Sequence, residues 1–134
     1  MESPVYDDSK WPLVIVTMPK QTMSAAAFTA FMDRISGFFE HGRFVLMIDA
    51  RDMFMLNADQ RRLIADRIDA DDARYPGRVL AVAVLMSSAM QRGVFKAIKW
   101  LKRTNFEMSA FSDPAEAEVW LNTQLAQGAL KRAR

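Results

Sequence analysis

Short apolar, β-branched runs alternate with stretches of helical periodicity along the chain. This alternation predicts an α/β fold, a mainly parallel sheet of four to five strands with four helices joined by right-handed crossovers. Two further observations support it. The run 79–86 is apolar at every position, as expected of a central parallel strand covered on both faces. The connections are short, with no Gly/Ser-rich linker, low-complexity tract or internal repeat to divide the chain.

Taken in order, Val5 and Tyr6 begin a short edge strand, and Asp7-Asp8-Ser9 supplies a turn that hairpins it onto a strand over 11–18. The first helix spans 24–41. Phe28, Phe31, Met32, Ile35 and Phe39 recur at helical spacing as one buried stripe, Ser24 is the N-cap, and Gly42 stands where a left-handed C-terminal cap is wanted. A strand follows at 44–50. The second helix runs over about 59–74, opened by Asn57 or Asp59, with Leu63, Ile64 and Ile68 facing inward and Pro76-Gly77 as the stop.

In the strand 79–86, Leu80, Val82, Val84 and Met86 point one way and Val79, Ala81, Ala83 and Leu85 the other. A third helix is expected over 89–103, with Met90, Val94, Ala97, Ile98 and Leu101 on one side and a basic stripe on the other. A strand over 106–111 precedes the fourth helix. There Asp113 can cap, Pro114 takes the first helical position, Glu116 follows three residues after the cap, and Ala117, Trp120, Leu121 and Leu125 form the inner face.

At 134 residues the chain is the size of one domain, placed at 3–126, with 127–134 as a basic C-terminal tail. It contains no cysteine, which excludes disulfides, thiolate nucleophiles and cysteine-bearing metal sites. The single histidine, His41, rules out a multi-histidine metal site and reads as a cation at the end of the first helix, interacting with its last carbonyls. Neither a metal nor a cofactor is expected. The beginning MESPVYDDSK carries no positive leader, and the longest apolar run is far shorter than the roughly 20 residues of a membrane span, so the expected location is cytoplasmic with no transmembrane segment.

Several segments, taken together, carry a resemblance: WPLVIVT, FVLMIDAR, QRRLIADRI, VAVLMSSAMQRGVFKAIKW and FSDPAEAEVWL. Over about residues 5–125 they resemble the small bacterial SpoIIAA-like proteins of the STAS/SEC14 group. The resemblance implies a progression of β–α units and a role in binding other proteins. The best understood relatives, anti-anti-sigma factors, are switched by phosphorylation of a serine at the start of the second helix. This chain departs there, because 52–59 (Asp-Met-Phe-Met-Leu-Asn-Ala-Asp) contains no hydroxyl. Other relatives hold lipids in a cavity, which needs roofing helices that a chain of this length has little room for.

In an open parallel sheet, ligands favour the crevice beyond the carboxyl ends of the strands. Asp49, Arg51 and Asp52 form the charged group there, joined by Ser87, Ser88 and Arg92, and they could bind an anion or a polar headgroup. The competing reading is that Asp49 bonds loop amides while Arg51 pairs with a neighbouring carboxylate. Ser87 and Ser88 could present hydroxyls to a phosphate or simply cap the following helix. Met53, Phe54, Met55 and Leu56 are apolar without periodicity and invite a partner or a lipid chain, or fold over the sheet's end. Arg92, Lys96, Lys99 and Arg103 make a basic stripe that is either a phosphate-contacting surface or a solvated face. A formal charge of only +2 and no reader motif count against nucleic acid.

No nucleophile or metal-ligand pattern accompanies Asp49 and Asp52, so the sequence reads as a non-enzymatic, STAS-like regulatory and protein-interaction module, able to associate as a homodimer. The alternative is a carrier or sensor of a small lipid or anionic ligand at the strand-end loops.

Overall fold

The computed structural model describes residues 3–52, 57–88 and 106–133. They form an α/β fold with a five-stranded, mostly parallel sheet, and three helices are seen among the described residues. The strands are β1 (Val5–Lys10), β2 (Leu13–Thr17), β3 (Phe44–Asp49), β4 (Val79–Leu85) and β5 (Glu107–Phe111), in spatial order β1-β2-β3-β4-β5. Only the β1/β2 pair is antiparallel; the other three pairs are parallel. The helices are α1 (Ala25–Phe39), α2 (Ala58–Arg74) and α3 (Pro114–Ala133). The helix expected over 89–103, with its basic stripe, lies outside the described residues. The last helix continues through 127–133, the stretch expected as tail.

The sheet divides the interior into two apolar layers. On one side Phe28, Phe31, Met32, Phe38 and Phe39 of α1 pack on Val14, Val16, Phe44, Leu46, Val82 and Val84, with Ile64 of α2 at the margin. Each fully buried phenylalanine of this kind contributes about 1.5–3 kcal/mol by transfer from water. On the other side Ala117 and Leu121 of α3 lie against Val45, Met47, Ala81, Ala83 and Leu85, with Trp120 and Leu125 alongside. The small alanines on β4 let α3 approach that face closely.

Local chemistry sets the element ends. Ser24 accepts from the Ala27 amide at 3.1 Å, and Asp113 Oδ1 accepts from the Ala115 amide at 3.0 Å, each satisfying a donor that a helix start leaves open. Asn57 is the α2 cap and forms a reciprocal box with Gln60: its side chain accepts from the Gln60 amide at 2.8 Å, and its own amide donates to Gln60 Oε1 at 3.2 Å. Gly42 (φ 137°) and Gly77 (φ 73°) take the positive φ values that follow α1 and α2.

Four expectations need correction. Asp7-Asp8-Ser9 is not the hairpin turn: β1 runs on to Lys10 and reverses at Trp11-Pro12. The turn chemistry at Asp7 is present, since Asp7 Oδ1 accepts from the Ser9 amide at 3.0 Å and from its hydroxyl at 2.6 Å. It is absorbed as an irregularity in the β1/β2 register between Asp7 and Lys10. In β4 the alternation breaks, because β3 advances one residue, Phe44 to Val45, while β4 advances two, Val79 to Ala81. Val79 therefore joins the α1 layer, and Leu80 turns to the α3 layer, where a Cβ on Gly128 would lie 2.7 Å from its Cδ1.

Leu63 does not face inward. It is 48% exposed, and α2, which has no fully buried residue, meets the domain mainly through half-buried side chains. The His41 ring is not the cation on the last α1 carbonyls: the residue's main-chain amide donates to Phe38 O at 3.2 Å, the ring lies against Trp11 at 6.2 Å in a T-shaped contact, and it is the Arg78 guanidinium that donates to the Phe39 carbonyl.

Candidate functional site

The parallel strands end together, so their carboxyl ends form a crest built from the termini of β2, β3, β4 and β5. Main-chain bonds stitch it across: Met18 N to Asp49 O at 2.9 Å, Ala50 N to Leu85 O at 3.0 Å, and Met86 N to Phe111 O at 2.9 Å. Asp49 closes β3 and Arg51 lies two residues on, which suits a fork. Arg51 Nε donates to Asp49 Oδ1 at 2.9 Å and Nη2 to Oδ2 at 2.8 Å, while the Arg51 amide also reaches Oδ1 at 3.2 Å. Ser87, on the segment leaving β4, donates its hydroxyl to the Arg51 carbonyl at 2.9 Å. The pair is thereby held on a turn fixed from two strands.

The electrostatics follow from the fork. The hydrogen bonds from the Arg51 side chain hold the Asp49 carboxyl below the usual carboxylate range, against the opposing effect of partial burial. Arg51 is held above its ordinary value, first by its bonds to Asp49, with Asp52 and Asp113 adding their fields. Among the described residues, three carboxylates thus act on one guanidinium. The Arg51 side chain keeps 38% of its surface and Asp49 only 18%, so the cation is the part that solvent meets.

Of the residues singled out in the sequence, Asp49, Arg51 and Ser87 are brought into contact, and Asp52 is exposed beside them. The chemistry is the pairing one, Arg51 with a neighbouring carboxylate. Ser88 follows on the same segment. Phe54 and Met55, with the rest of the 53–56 loop, and Arg92 and Lys96 lie outside the described residues.

Sequence reasoning missed a concavity at the opposite, amino end of the parallel strands. A groove of about 600 Å³ opens between the tip of the β1/β2 hairpin and the last turns of α1, lined by Asp8, Trp11, Asp33, Arg34, Gly37, Phe38 and His41. Trp11 stacks on Phe44 at 5.7 Å with an interplanar angle of 22°, yet remains 38% exposed. The Arg34 guanidinium lies 5.2 Å over the Tyr6 ring and 5.3 Å over that of Phe38.

Neither a protein-family model nor a curated protein matches the chain. Among the described residues, no group of His, Asp or Glu side chains is arranged to hold a metal ion, and no helix is long and apolar enough to cross a membrane.

Proposed function

We propose that the chain is a non-catalytic, regulatory protein-interaction module of the SpoIIAA-like, STAS type, and that it meets its partner through the crest around Arg51. The observation that supports this most directly is the fork between Asp49 and Arg51. A carboxylate whose proton affinity is lowered by a bidentate guanidinium is a poor base at neutral pH, so the most prominent charged pair at the strand ends is suited to recognition rather than to proton transfer. Because the fork already orders the long Arg51 side chain, binding does not have to.

The charge distribution favours a basic partner surface. Asp52 and Asp113 act on Arg51 in addition to Asp49, leaving the crest acidic overall among the described residues. The second reading, a carrier of a small lipid or anionic ligand, asks for the opposite potential at this end of the sheet. Self-association as a homodimer belongs to the same proposal and is read by sedimentation at two concentrations.

The deciding experiment compares proteins captured by the wild-type chain and by Asp52→Lys, an exposed substitution that reverses charge at the crest without touching the fork. A partner retained by the first and lost by the second supports the interaction reading. Identical captures overturn it, and a small molecule carried through purification, seen by native mass spectrometry, establishes the carrier instead.

A further inference from the structure

Among the described helices, α2 is held to the domain differently from the others. α1 buries Phe28, Phe31, Met32, Phe38 and Phe39, and α3 buries Ala117 and Leu121, whereas α2 has no buried residue along its whole length. Its Ile64 reaches the α1-side core and is itself only partly buried.

The ties between α2 and α1 are polar and centre on one hydroxyl. Ser36 donates to Asp71 Oδ2 at 2.7 Å and accepts from Arg67 Nη1 at 3.0 Å, and the same Nη1 donates to Asp33 Oδ1 at 3.0 Å. Both ends of this chain of bonds are compromised. The Asp33 side chain is 63% exposed, so water competes for its ion pair with Arg67. At the other end, burial pushes the Asp71 carboxyl above its ordinary value in spite of the Ser36 bond and the fields of Arg67 and Arg74, so docking it as an anion costs free energy.

α2 is also self-contained. Its start is satisfied within the segment by the box of Asn57 and Gln60, the Tyr75 amide donates to Asp71 O at 2.8 Å at its end, and Gly77 at φ 73° supplies the turn towards β4. Moving α2 away breaks no bond of the sheet, since β3 and β4 pair directly with each other. A segment joined to a fold by few buried apolar contacts and by half-exposed polar bonds is one that opens before the rest.

We infer that α2 undocks from α1 as a single unit while the five-stranded sheet and the α1 and α3 layers stay closed. The open form bares Ile64 and the core surface that it covers, in addition to Leu63, which is already 48% exposed. This opening is a conformational device built into the fold. It does not require the crest to bind anything.

Native-state hydrogen exchange of the full-length, ¹⁵N-labelled chain in rising urea tests it. The α2 amides are expected to share one opening, with protection roughly a hundredfold below that of β3 and β4 and a smaller but definite urea dependence. Ser36→Ala should lower the shared α2 protection roughly tenfold, the contribution of a hydrogen bond to a charged group. Leu121→Val, in the α3 layer, should lower the β3 and β4 protection roughly fivefold and leave that of α2 unchanged. The inference is overturned by α2 protection that merges with that of the strands, by graded α2 values without urea dependence, which mean fraying residue by residue, by α2 protection that ignores Ser36→Ala, or by α2 protection that falls with the strands in Leu121→Val.

Discussion

Arg78 donates from Nη1 to the main-chain carbonyl of Phe39 across 2.7 Å, bridging the segment that enters β4 to the last turn of α1. Its guanidinium also lies 5.3 Å over the Tyr75 ring. A helix end presents carbonyls without intrahelical partners and a partial negative charge, and a cation donated from 39 residues away answers both. Arg78→Ala should cost about 1–2 kcal/mol of unfolding free energy in a urea titration, and Arg78→Lys less. An unchanged midpoint for both would show that the contact does not stabilise the fold.

Asp71 joins α2 to α1 through Ser36, whose hydroxyl donates to Oδ2 at 2.7 Å and in turn accepts from Arg67 Nη1 at 3.0 Å. Burial pushes the Asp71 carboxyl above its ordinary value, outweighing the Ser36 bond and the fields of Arg67 and Arg74. The folded state therefore holds this proton more tightly than the unfolded chain. The associated stability is complete below the unfolded value and is lost as pH rises through the folded one. Asp71→Asn keeps an acceptor for Ser36 and removes the titration. Relative to this variant, the wild type should gain stability as pH is lowered from 7 to 4, and a difference that is flat with pH would contradict the burial argument.

At the crest the sign is opposite. Asp49 has its proton affinity lowered, so its contribution is present at neutral pH and is lost as pH falls through the folded value. Arg51→Ala should lower the thermal midpoint at pH 7. The gap between variant and wild type should close below roughly pH 4, where an ordinary aspartate protonates. A gap that persists in acid would mean that Arg51 acts through packing of its stem instead.

The box at the start of α2 gives a cleaner energetic expectation. Asn57→Ala removes the acceptor for the Gln60 amide and should destabilise by about 1 kcal/mol, whereas Asn57→Asp should fall within a few tenths of wild type. Denaturant unfolding of the two variants checks it.

Where periodicity and burial agreed, the sequence was a reliable guide. The α1 stripe of Phe28, Phe31, Met32 and Phe39 is buried, with Ile35 partly so, and Ser24, Asn57 and Asp113 cap as their side chains predict. It failed where one extra residue or one exposed face broke the rule. The added step between Val79 and Ala81 reassigns Leu80 to the other layer, and nothing in an all-apolar run marks which residue is the extra one. Leu63 is apolar yet lies on a helix that is only half-buried, so composition misplaced it.

The candidate sites divide in the same way. Asp49, Arg51 and Ser87 could be found because they sit at strand ends, where charged residues stand out against the apolar runs before them. The groove was illegible because its walls come from Asp8 and Trp11 on a hairpin and from residues 33–41 a helix away. Trp11 read as the beginning of a strand. The one available signal was Gly37, a helix-weakening residue inside α1 without a turn to justify it.

The irregular pairing between Asp7 and Lys10 reaches beyond the domain itself. β1 lies at the margin of the sheet, and such a margin can seed accretion of further strands into fibrils when it is flat and greasy. Here it is broken in register and carries Asp7, Asp8 and Lys10, so another chain adding there would have to dehydrate those charges. Copies of the protein at high concentration are kept apart along this border by the same residues that spoil its regularity.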